Sequence, residues 1–153
     1  MAIFIFCKDS DGVMGALYRI ASNQSIYDAN KNWQDDMYDV VAVNDDDYTA
    51  VKLGNKSVIT KNENQVIYED NQVVFTDEGD LTSYIKNIIP IFEVWLEVNN
   101  SKPLAPNVIT YLNYIKSLDV SSLSITEDTP LNYSLEAYVE NQGITAIHPL
   151  ELL

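Results

Sequence analysis

Cysteine and histidine are nearly absent: Cys7 and His148 are the only residues of their kinds. One of each can form neither an intramolecular disulfide nor a Cys/His zinc site. They do not read as a nucleophile and its base either, because neither sits in a nucleophile motif. Arginine is as scarce, with Arg19 alone, and nine basic residues face 23 acidic ones for a formal charge of −14. Binding to nucleic acid or to anionic lipid draws on Lys and Arg, so both are excluded as partners. Five glycines and five prolines leave few places for strained loops. There is no Gly-rich phosphate loop, no Gly-x-Ser-x-Gly and no His-containing metal motif. No apolar run approaches the roughly 20 residues of a membrane span. The opening Met-Ala-Ile-Phe-Ile-Phe lacks the basic flank and cleavage site of a signal peptide. These absences point away from catalysis, and no cofactor or metal is expected.

What remains is a chain that folds. It has 153 residues, 46% of them apolar, with ten tyrosines spread along it. A chain of that length buries roughly 70% of its unfolded surface as one domain or as two small halves. Fifteen Ile, fifteen Asn and a single Arg are what AT-rich coding produces.

The first half reads as strands and turns. Residues 2–7 are a β-prone apolar run, Lys8-Asp9-Ser10-Asp11-Gly12 is a turn, and residues 13–20 return as the second strand of a hairpin. One weak helical turn is expected around Ile26 and Tyr27, and a further strand at 38–43. Asn44 to Gly54 carries a full set of helix signals. Asn44 serves as cap, Asp45, Asp46 and Asp47 sit at the positive end of the dipole, and Gly54 is the stop. Pieces 57–60, 65–68 and 72–75 then suggest a meander of hairpins.

From Asp77 the period changes to that of a helix. Leu81, Tyr84, Ile85, Ile88, Ile89, Phe92, Trp95 and Leu96 fall on one stripe. Pro90 inside it predicts a kink or break near 86–90. A second helix is expected from Pro106 to about Leu118. A third, capped by Thr129-Pro130, runs to about Asn141, and an apolar tail follows from Ile144 to Leu153. The fold class is therefore α+β. Residues 1–76 form an N-terminal part of antiparallel hairpins with one short helix, and 77–153 a C-terminal bundle of about three helices.

Few side chains stand out as sites. Asp9-Ser10-Asp11-Gly12 begins like a calcium loop, but the oxygen ligands stop there and a hairpin turn explains it. The cluster Asp35, Asp36, Asp39 with Asp45, Asp46 and Asp47 suits a divalent cation, a basic partner or a solvated surface. Trp33, Trp95, Ile147, Pro149 and Leu150 are the candidate contact residues. Aromatics anchor interfaces and an extended apolar end adds to a partner's sheet.

Leu81 to Trp95, Asn107 to Leu118 and the ending that starts Pro130-Leu131-Asn132-Tyr133 carry a resemblance. A helical hairpin followed by a proline-leucine-asparagine step and an aromatic-rich short helix resembles small virion-region proteins of tailed phages, marine ones in particular. The resemblance implies a structural or accessory part of the head surface or the tail and fibre apparatus. It also implies other virion proteins or a second copy as partners, and a place in the virion after synthesis in the host cytoplasm. It transfers no catalytic residue. The stretch from Trp95 through Pro103 to Pro106 is similar to tail-fibre assembly chaperones, which commonly finish near that point, whereas this chain continues to Leu153.

Two functions compete with a structural part. One is the assembly chaperone just described. The other is an acidic DNA mimic that blocks a host protein, which wants carboxylates in phosphate-like rows. Here they cluster in loops and at helix starts.

Overall fold

The computed structural model describes residues 1–8, 14–33 and 35–153, so the Asp9-Ser10-Asp11-Gly12 turn lies outside the described residues. The chain is α+β and divides into two compact units, Met1–Asn71 with Leu150–Leu153, and Gln72–Pro149. The boundary falls five residues before the expected one, and the last four residues return to the N-terminal unit.

That unit is built on a three-stranded antiparallel sheet. Strand β1 (Ala2–Lys8) lies between β2 (Met14–Ala21) and β3 (Tyr38–Val43). Ala2 through Phe6 are all buried, which is why β1 reads as a continuous apolar run: a central strand covered on both faces has no polar side. Phe4 and Phe6 share one face with Ile20, Val41 and Val43. Ile3 and Ile5 share the other with Ala21, Tyr27 and Leu153. The β1–β3 register runs unbroken from Ala2↔Val43 to Cys7↔Tyr38. Against β2 it shifts between Ile5↔Arg19 and Phe6↔Leu17, so β2 carries an extra residue, Tyr18. Where Cys7 of β1 faces Gly15 of β2 the backbones approach closely. A Cβ on Gly15 would sit 2.9 Å from the Cys7 carbonyl oxygen, leaving room only for glycine.

Two short helices, rather than one, belong to this unit. Helix α1 (Gln24–Asn30) is a full capped element where only a weak turn was expected, because the Asn23 side chain accepts from the Ile26 amide at 2.8 Å. Helix α2 (Asp45–Lys52) forms where its signals put it. Asn44 accepts from the Asp47 amide at 2.7 Å, and Tyr48 and Val51 turn into the Phe4 face. Strands β4 (Lys56–Asn62) and β5 (Gln65–Asp70) make a hairpin, from which Val58, Val66 and Tyr68 cover the same face.

The third expected strand of that meander is not there. Of residues 72–75 only Phe75 forms a β-bridge, to Leu131, through two backbone hydrogen bonds of 2.8 and 2.9 Å.

In the second unit, α3 (Glu78–Asn99) and α4 (Ala105–Ser117) are followed by a 3₁₀ turn at Val120–Leu123 and by α5 (Leu135–Asn141). Leu81, Ile85, Ile88 and Phe92 of α3 are buried, as are Val108, Tyr111, Leu112 and Ile115 of α4. Phe92 meets Tyr111 edge to face at 5.6 Å. Pro90 does not break α3, which runs through it. Proline removes one backbone hydrogen bond and crowds the preceding turn, but helices are held mainly by packing of the apolar face, and here that face continues on both sides of Pro90.

Helix α5 starts later than Thr129-Pro130 suggested. Thr129 is engaged elsewhere, its hydroxyl 2.8 Å from that of Thr126 and 3.1 Å from the Ser124 carbonyl oxygen. Ser134 caps the helix instead, accepting from the Ala137 amide at 3.0 Å. Gly143, at φ 84°, takes the left-handed turn that follows.

Candidate functional site

Three groups of side chains stand out from the two units, and each began as a sequence expectation or was missed by one.

Three carboxylates of the acidic cluster face cations of their own unit. Asp39 pairs with the Lys61 ammonium at 2.9 Å and Asp47 with that of Lys56 at 3.0 Å, while Asp45 lies 3.9 Å from the N-terminal amine. The hydrogen bond from Lys61 holds the Asp39 carboxyl below its ordinary value, outweighing the opposing effect of partial burial. Asp47 also accepts from the Asn44 side chain at 3.0 Å and from the Tyr68 phenol, which burial and the Asp47 charge push up to about 12. Asp39 and Asp47 are thus partly neutralised within the unit itself. Among the described residues, no group of three or more His, Cys, Asp or Glu is placed to hold a metal ion.

Trp33 belongs to an aromatic cluster on the Ile3–Ile5 face. Its ring centroid is 5.1 Å from that of Tyr38, 5.6 Å from Tyr18 and 6.2 Å from Tyr27, and Tyr18 stacks on Tyr38 at 4.8 Å. The bulge in β2 is what brings Tyr18 here, since a regular strand would turn it to the Phe4 face. Arg19 lies over the Tyr18 ring at 4.2 Å and donates from Nε to the Leu152 carbonyl oxygen at 2.8 Å. The single arginine thus fastens the last residues to the sheet. The Trp33 Nε1 is buried and meets no acceptor among the described residues.

The same returning segment disposes of the expected extended arm. Pro149–Glu151 is a 3₁₀ turn, Leu150 packs on the Phe4 face, and Glu151 accepts from the Tyr48 hydroxyl and faces the Lys52 ammonium at 3.7 Å. Ile147 is 3% exposed. Pro149 and Leu150 are half-buried.

In the second unit, α3 presents two apolar faces. The first is buried. The second, Ile91, Val94 and Val98, is 47%, 61% and 77% exposed, about 120° round the helix from the first. Trp95, half-buried with the Lys102 ammonium 5.9 Å from its ring, bridges the two. Valine is a mediocre helix former, so helix propensity does not account for two exposed valines one turn apart. Sequence reasoning missed these residues because it read one stripe and stopped. The signal was present as a surplus of branched apolar residues at i, i+3 and i+7 beyond the first stripe.

Other features carry less chemistry. Tyr84 donates to Glu136 at 2.6 Å, and burial first, then the Glu136 charge, holds its phenol far above the ordinary tyrosine range. A depression of about 180 Å³ lined by Asn107, Thr110, Gly143, Ile144 and Thr145 has no charged wall and is below the usual size of small-molecule sites. No described helix is long and apolar enough to cross a membrane.

No protein-family model, no curated protein and no solved structure matches this chain.

Proposed function

We propose that this protein works by binding another protein, as a non-enzymatic structural or accessory component of a larger assembly, and that α3 provides the contact. The observation that carries the reading is the exposed stripe Ile91, Val94 and Val98 bordered by Trp95. An apolar row beside an aromatic is the composition of an interface centre. The phage virion is the assembly in which we place it, on the resemblance of the helical half to small virion-region proteins. A charge of −14 keeps such a component soluble and apart from its own copies before assembly.

The test is peptide mass spectrometry on gradient-purified particles from the source lysate. Stoichiometric peptides from this chain, lost from particles made with V94S/V98S, support the reading. Absence from particles together with abundance in the soluble lysate overturns the virion placement and favours the assembly chaperone.

A further inference from the structure

We infer that the occupant of the α3 stripe is an amphipathic helix of a partner that carries lysine or arginine beside its apolar face, and not a second copy of this chain. The inference rests on the protein-binding reading above and names the chemistry of the partner.

The spacing selects a helix. Ile91, Val94 and Val98 stand at i, i+3 and i+7, the a–d–a seam of a heptad, which a facing helix fills with its own apolar side chains. An extended strand presents alternate residues at a period of two and does not follow such a row. The smaller exposed pair Ile59 and Ile67 on the β4–β5 hairpin offers no comparable row.

Charge selects the partner. From Asn87 to Asn99, α3 carries Glu93 and Glu97 and no cation, and its last turn has no basic residue to offset the negative end of the helix. From the packed elements, Lys116 of α4 reaches Glu93 at 3.7 Å and Lys102 lies over Trp95. Glu97 is left as the exposed carboxylate beside Val94 and Val98. A second copy would bring Glu97, another negative helix end and another −14 to the same place. Area points the same way. Two helical turns cover about 10 Å of axis, and a contact that short falls well below the roughly 1,200 Å² of a stable symmetric pair. A partner that adds opposite charge compensates for that shortfall.

The probes are two synthetic three-heptad helical peptides with leucine at a and d, one with lysine and the other with glutamate at e and g. They are titrated into the isotope-labelled full chain and followed by amide chemical shifts. The expected result is binding of the lysine peptide with shifts centred on residues 91–98. Affinity falls roughly tenfold or more in V94S/V98S, and the glutamate peptide binds at least roughly tenfold more weakly. Equal binding of both peptides on α3 overturns the basic partner and leaves the protein-binding reading standing. Shifts confined to the Asp39–Asp47 region and unchanged in V94S/V98S show attraction by net charge alone and overturn the inference. Concentration-dependent dimerisation in sedimentation, abolished by V94S/V98S, makes the occupant a second copy and also overturns it. Neither binding nor self-association removes α3 as a docking surface, and both readings fall together.

Discussion

Deleting Leu150–Leu153 tests whether the returning segment is part of the first unit's core. Leu152 and Leu153 are 4% and 3% exposed, and Leu153 closes the cluster of Ile3, Ile5, Ala21 and Tyr27. Burying a leucine side chain contributes about 1.5–3 kcal/mol, so the pair contributes about 3–6 kcal/mol. The deletion also removes the Leu152 acceptor of Arg19 and the Glu151 partner of Tyr48 and Lys52. Domains are stable by only about 5–15 kcal/mol, so the loss takes much of what the unit has. The assay is urea unfolding in a W95F background, where Trp33 alone reports and reports only on the first unit. With a urea slope of about 1.5 kcal/mol/M, the midpoint falls by about 2 M or more. Amide exchange in α3 and α4 serves as the internal control and stays protected. A Trp33 midpoint within about 0.5 M of the intact chain would refute the reasoning, since a core contribution of this size cannot vanish into experimental error.

Three further outcomes are expected. Glu63 turns the β4–β5 hairpin at φ 53°, a conformation that suits Asn or Gly. E63N should therefore stabilise by about 0.5–1 kcal/mol, seen as a melting point higher by about 2 °C. Tyr84→Phe removes the 2.6 Å hydrogen bond to Glu136, which is 2% exposed, and should cost about 1–3 kcal/mol in urea unfolding. Because Tyr84 is held neutral in the fold, its contribution is complete below the ordinary tyrosine value of about 10 and is lost as pH rises beyond it. Alkaline unfolding of the second unit should thus begin at higher pH in Tyr84→Phe, normalised for stability at pH 7. Asp39 has the opposite sign. Its lowered carboxyl stabilises above the ordinary aspartate value of about 3.9 and loses that contribution as pH falls through the lowered one, so K61M flattens the acid limb of the stability profile.

The sequence was most legible where several local signals agreed. Asn44, three aspartates, an apolar side and Gly54 all named the same helix, and α2 is there residue for residue. Strand β3 was likewise read at its full length. Legibility failed where a residue's partner is far along the chain. Phe75 has β-strand composition, yet its fate is set by Leu131. Thr129-Pro130 has the chemistry of a cap, yet Thr126 and Ser124 claim that hydroxyl. Pro90 predicts a break only if packing is ignored. For the site, the sequence named Trp95 as a contact candidate, while the stripe beside it does not show when a helix is read for one amphipathic face. What the returning Leu150–Leu153 does could not be read at all, because an apolar tail looks the same whether it closes its own sheet or a partner's.

The closing of the sheet by Leu150–Leu153 has a consequence for the order of assembly on the ribosome. Domains usually fold as their residues emerge, the first-made part first, at about 5–20 residues per second. Here residues 72–149 must be synthesised between the five strands and the segment that completes their core, a delay of about 4–16 s at that rate. Through that interval the Ile3–Ile5 face waits without Leu153, while α3, α4 and α5 can already pack among themselves. The first unit to be made is therefore the last to be finished.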